Sequence, residues 1–95
     1  SGALKNALDW ISRLRPAPMA GTPVAVVSAA AGVAGGQRAK SLMYLLLVPF
    51  KCELVFNPEV NLGTARDKFD ANGRLTDEAA EKFLGQLMDA LKAKV

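Results

Sequence analysis

The chain contains no histidine and a single cysteine, Cys52. Without histidine it can build no Ser-His-Asp or Cys-His catalytic group and no histidine-ligated zinc site, which removes a large share of hydrolytic mechanisms. A solitary cysteine excludes an internal disulfide and leads to the expectation of a reducing, cytoplasmic compartment. Aromatic residues make up only 6% of the chain, and no stretch interleaves them with Lys and Arg, so nucleic-acid binding is not expected. The longest apolar run, Leu42 to Phe50, is nine residues and contains Pro49. That is well short of the ~20 needed to cross a bilayer, so no membrane partner is expected either.

Strong charge is also missing. The formal net charge is +3, with six basic and one acidic residue in 1–52 against six basic and eight acidic in 53–95. Such asymmetry is read as surface variation, the alternative being a basic half that faces a phosphorylated cofactor. Ninety-five residues fit one small domain. The apolar content, 51%, is high for that size, so the chain holds more core-type residues than it can easily hide.

What is present is organised around Pro23 to Arg38, PVAVVSAAAGVAGGQR. Val24, Ala25, Val26 and Val27 form an apolar, largely β-branched run without alternation, the pattern of a parallel strand covered on both faces. Pro23 is acceptable at the strand's first position, where a missing N–H breaks no ladder. From Ser28 to Gly36 every residue but Val33 is small, and a helix follows whose free amides would point at the same place. This order puts main-chain donors at the carboxyl end of a strand, where α/β proteins hold ligands. The spacing GxxGG matches neither GxGxxG nor a Walker loop, so a tight structural turn and a ligand loop both remain open on spacing alone.

The remaining elements follow from period and punctuation. Leu4, Ala7, Leu8, Ile11 and Leu14 predict a helix over 2–14 with Ser1 as its cap, Trp10 closing the core's edge, and Pro16 ending it. A strand is predicted over 23–28, a helix over 36–48 stopped by Pro49, and an edge strand over 52–56 marked by Lys51 and Glu53. Residues 57–68 show no period and are read as surface wrap. Asp70-Ala71-Asn72-Gly73 is a turn. As a calcium loop it fails: with Gly73 in the sixth position, the first and twelfth ligands fall on Lys68 and Ala79. Thr76, followed by Asp77 and Glu78, starts a helix predicted over 76–93, with Ala80, Phe83, Leu84, Leu87, Met88 and Leu91 on one stripe.

Three stretches, GALKNALDW (residues 2–10), VAVVSAAAGVAGGQRA (24–39) and KFDANGRLTDEA (68–79), together resemble the carboxyl-terminal half of the NAD(P)H-dependent FMN reductases. This flavodoxin-like family includes quinone, chromate and azo-dye reductases. The resemblance implies an α/β fold in which this chain supplies strands 4 and 5 and helices 3, 4 and 5 of a parallel sheet ordered 2-1-3-4-5, incomplete as a stand-alone domain. It implies FMN as cofactor, with NAD(P)H as electron donor, and it suggests Ser28, Ala29, Ala30, Gly32, Val33, Gly35 and Gly36 as flavin neighbours acting mainly through main-chain groups. Arg38 is read as an exposed surface arginine, with a phosphate of the dinucleotide as the alternative.

The family's first three strands, its phosphate-binding loop and the Pro-Glu-Tyr-Asn type segment have no counterpart in these residues. The expectation is therefore that the rest of the same domain, or another copy of the chain in a homo-oligomer, completes the sheet. Two functions follow from the resemblance and the short length. One is part of an oxidoreductase passing hydride from NAD(P)H through FMN to a small electrophilic acceptor such as a quinone, the 95 residues alone being inactive. The other is a non-enzymatic oligomerising half-domain that binds no flavin.

Overall fold

The structure, a computed structural model, describes residues 2–95. Helix α1 (Gly2–Ile11) leads into strand β1 (Pro23–Ala25) and, after two residues, β2 (Ser28–Ala29). Helix α2 (Gln37–Leu47) and a 3-10 turn (Val48–Phe50) return the chain to β3 (Glu53–Val55). A two-residue strand β4 (Asn61–Leu62), a second 3-10 turn (Ala65–Lys68) and helix α3 (Glu78–Ala93) complete it. β1 pairs parallel with β3, Val24 opposite Leu54, and β2 pairs parallel with β4, Ser28 opposite Asn61. β1, α2 and β3 thus form the βαβ crossover that parallel pairing requires.

Pleating explains why the valine run does not alternate. Val24, Val26 and Leu54 pack with Leu8 of α1, Leu47 of α2 and Phe50 of the 3-10 turn, whereas Ala25 and Val55 pack with Val60 and Leu87 on the α3 side. Helices on both faces make the run from Val24 to Val26 and its partners Leu54 and Val55 apolar throughout, as in doubly wound folds. Leu47 and Leu87 are the most buried side chains, one at the centre of each layer; each contributes roughly 1.5–3 kcal/mol by leaving water. An ion pair between Lys94 and Glu53 (3.0 Å) fixes the end of α3 beside the start of the edge strand.

Several expectations need correcting. The predicted strand over 23–28 is two strands with different partners. α1 stops at Ile11 rather than 14: the Arg13 and Leu14 amides turn to carbonyls three residues back, and Pro16 bars Arg15 from helical geometry. Ser1, its expected cap, lies outside the described residues. Trp10 is 71% exposed and closes no core. Residues 57–68 are not plain wrap, since Val60 is buried and β4 lies within them.

The last helix begins at Glu78, two residues later than expected. Asp77 is its cap, accepting the Ala80 amide at 2.9 Å, while the Thr76 hydroxyl is turned back to the Lys68 carbonyl. Its stripe is only partly hidden: Leu87 and Ala80 are buried, whereas Phe83 and Met88 are exposed. The turn at Asp70 forms as expected, its carboxylate accepting the Asn72 and Arg74 amides and Gly73 taking positive φ.

Candidate functional site at the carboxyl end of the central strand

After Ala25 the partner strand leaves. Two residues separate β1 from β2, but five separate β3 from β4, and Pro58 among them has no N–H to give a ladder. When the partner returns, it runs beside the glycine-rich segment for the length of the loop. The Ser28 amide donates to the Val60 carbonyl (3.2 Å), and the Ala30 amide donates to the Leu62 carbonyl (3.0 Å). The Ala65 amide donates to the Ala30 carbonyl (2.9 Å), and the Thr64 amide donates to the Gly32 carbonyl (3.0 Å). The Ser28 hydroxyl donates to Asn61 Oδ1 at 2.9 Å.

Backbones this close leave no room for side chains. A β-carbon on Gly35 would lie 2.7 Å from the Gly63 nitrogen, and one on Gly63 would lie 2.1 Å from the Val33 carbonyl oxygen. Gly35 and Gly36 also take φ of 66° and 81°, a left-handed pair that reverses the chain into α2. Gly32 is different: nothing lies within 4 Å of the direction its side chain would take.

The expected site residues therefore divide. Ala29, Gly32 and Val33 are exposed, Ser28, Ala30 and Gly36 are half-buried, and Gly35 is buried against the 61–63 backbone, away from the open face. In a pleated strand successive amides point to opposite edges, so with Ser28 and Ala30 bonded to 60–62, the Ala29 amide points to the free edge. The result is a strip of main chain from 29 to 33, firmly backed on one side, with methyl groups or hydrogen on all but Val33.

α2 starts from this loop without a capping side chain; Gly36 occupies the cap and its carbonyl accepts the Lys40 amide (3.0 Å). Arg38 is exposed at that end. Lys40 is 3% exposed, and its ammonium donates to the Val60 carbonyl (3.4 Å), the acceptor that also serves Ser28. One oxygen thus joins α2 to the loop's backing strand. One turn on, Tyr44 meets Phe56 edge to face at 5.1 Å. Burial, and secondarily the negative charge of Glu59, raises its phenol above the usual range.

Sequence reasoning missed Asn61, Gly63 and Thr64. A two-residue strand has no period to detect, and the single usable signal was a glycine among residues otherwise read as wrap.

A parallel α/β layer with a glycine loop at the strand's carboxyl end is the arrangement of ligand-holding doubly wound proteins. The chain belongs to the NADPH-dependent FMN reductase family, whose model matches residues 1–67. It is 39% identical over 92 residues to an NAD(P)H-dependent FMN reductase of Pseudomonas aeruginosa, covering 97% of this chain and 50% of that protein. It is 36% identical over 88 residues to a quinone reductase of Escherichia coli, covering 90% of this chain and 47% of the other. An NADPH:quinone oxidoreductase of Arabidopsis thaliana is 38% identical, covering 98% of this chain and 47% of the plant protein. The chain spans about half the length of the curated relatives it matches.

The strip fits FMN. A flat ring needs main-chain donors without intervening side chains, and the open space at Gly32 together with the free-edge amide of Ala29 supplies that surface.

Proposed function

We propose that these residues form the ring-facing part of an NAD(P)H-dependent FMN reductase that reduces a small electrophilic acceptor such as a quinone. The supporting observation is the backed strip at 29–33, which presents peptide groups on a surface that Gly35 and Gly63 hold rigid from behind. FMN, when bound, supplies the hydride chemistry. The chain's part is to bind, orient and shield: residues 28–36 contain no titratable side chain, so they hold the ring by amides and by contact with the Ala29, Gly32 and Val33 surface. The Ser28 hydroxyl, committed to Asn61, positions the strip instead of meeting the ring. Arg38, exposed at the start of α2, is available to a dinucleotide phosphate.

Within this proposal turnover needs more than the 95 residues. Among the described residues β1 pairs with β3 alone, and just past its carboxyl end lies a groove of about 540 Å³ lined by Leu4, Val26, Val27, Leu42 and Met43. An apolar strand edge of this kind is normally paired or covered. We propose that further polypeptide of the same domain pairs there and carries the cofactor's phosphate site, and that the 95 residues by themselves are inactive. No helix among the described residues is long and apolar enough to cross a membrane. A cytoplasmic setting rests on the lone half-buried thiol of Cys52, whose sulfur lies 3.7 Å from the Leu47 carbonyl.

The test is the visible spectrum of the polypeptide as its source organism makes it, with and without added FMN. A flavin band that NADPH bleaches without air, and that Gly32→Val weakens, is the expected result. A colourless protein that takes up no FMN on titration overturns the reading.

A further inference from the structure

Lys40 is the one buried charged residue among those described, 3% exposed and one turn into α2. Its ammonium has three N–H donors to place, and among the described residues it meets one acceptor, the Val60 carbonyl at 3.4 Å. The ion pairs of the described residues engage Lys5, Lys68 and Lys94, and Lys40 is in none of them. Glu59, beside Val60 in sequence, is exposed and takes no part in those pairs either. A charge this deep is costly unless it is paired and fully hydrogen-bonded. Stability does not account for it, because apolar side chains fill such places at little or no loss.

Its position offers another account. From α2 the side chain reaches the strand that backs the glycine loop, and it shares its acceptor with the Ser28 amide (3.2 Å). Its own amide donates to the carbonyl of Gly36, at the loop's other end (3.0 Å). The positive charge is thus tied to both ends of the loop from behind, and residues 28–36 carry no titratable side chain to oppose it. Among the described residues that line the adjoining groove, Lys5 is the only other titratable one, and Asp9 holds it at 3.0 Å.

We infer that Lys40 sets a fixed positive charge behind the 28–36 loop, and that this charge favours the reduced over the oxidised state of an FMN held on the loop's open face. The inference rests on the flavin reading above. When NAD(P)H passes a hydride to the ring, two electrons and one proton arrive together and NAD(P)+ leaves, so the ring gains one negative charge. A fixed cation in a water-poor setting stabilises that gain without reorganisation. Charge near the ring is one of the ways a protein tunes its cofactor. Lys40 is here a positioning residue, acting through the loop and not by contact.

The experiment uses the full polypeptide as its source organism makes it, loaded with FMN, and reads the flavin's midpoint potential by equilibration with a reference dye. Lys40→Met, which keeps the length and removes the charge, is expected to lower the preference for reduced over oxidised FMN roughly tenfold, the scale of one unit charge acting through protein. That is about 30 mV for a two-electron couple. Lys40→Arg is expected to hold the parent's potential, and the melting temperature of Lys40→Met to hold or rise. Should Lys40→Met fail to fold, Lys40→Gln decides, with the same fall expected. An uncharged variant at the parent's potential overturns the inference alone, as it would if a carboxylate from further polypeptide neutralised Lys40. A potential that falls equally in Lys40→Arg assigns the effect to packing and also overturns it. A parent that takes up no FMN overturns the flavin reading itself, and this inference with it.

Discussion

Gly63 approaches Val33 so closely that a β-carbon at residue 63 would lie 2.1 Å from the Val33 carbonyl oxygen. The contact is backbone against backbone, and neither partner can swing aside. Gly63→Ala is therefore expected to force the 61–65 segment away from the loop, breaking the Thr64-to-Gly32 and Ala65-to-Ala30 bonds. A loss of at least ~1 kcal/mol is anticipated from two hydrogen bonds of ordinary worth, together with increased amide exchange at Ala30, Thr64 and Ala65. Gly32→Ala, which meets nothing within 4 Å, serves as control, and equal stability of the two variants would remove the backing role given to Gly63.

Asn61 holds the Ser28 hydroxyl at 2.9 Å in a half-buried position. Asn61→Ala is expected to cost about 1 kcal/mol, the usual net worth of such a bond, and Ser28→Ala a similar amount. In the double variant the two losses should not add, because they remove the same bond. Denaturant midpoints of the four chains give the coupling, and full additivity would contradict the contact.

The chain has one tyrosine, so its alkaline absorbance change reports Tyr44 alone. Burial, and next the Glu59 charge, raises this phenol above the usual range. The sign follows from proton binding: above the ordinary value of 10.0 the unfolded chain gives up its proton first. Stability is then full below that value and falls as pH rises toward the folded phenol's own midpoint. A spectrophotometric midpoint above that of free tyrosine is expected, lowered toward it by Glu59→Gln. A native midpoint at or below the free value would rule this out.

Asp77, not Thr76, caps α3. Asp77→Ala removes the acceptor of the Ala80 amide and also one member of the 3.7 Å pair with Lys68. It should cost ~1 kcal/mol, within the range measured for such caps. Thr76→Ala removes only a 3.2 Å bond to the Lys68 carbonyl and should cost less. Thermal melts that reverse this order would return the cap to Thr76.

The limits of sequence reading show in particular residues. Val24 to Val27 announced a strand covered on both faces, and the assignment of Val24 and Val26 to one layer and Ala25 to the other follows from pleat alone. The run could not announce its change of partner after Ala25, because the cause lies some thirty residues away in the excursion through Pro58. Similarly, Thr76 and Asp77 are both good caps, and the choice between them was made by Lys68, which draws the Thr76 hydroxyl back across the 69–75 turn.

Local chemistry therefore settled what local chemistry controls: the helical stripes, the breaks at proline, the turn at Asp70, and the absence of histidine and disulfide chemistry from these residues. Three matters were left to the tertiary structure. It decided which glycine is open and which is filled, since Gly32 and Gly35 look alike until the backbone of 61–63 is laid against one of them. It decided that Trp10 and Leu45 face outward, and that Lys40 is drawn inside. Each of these depends on what a residue meets from elsewhere in the chain, and pairwise closeness between distant segments leaves no period in a sequence.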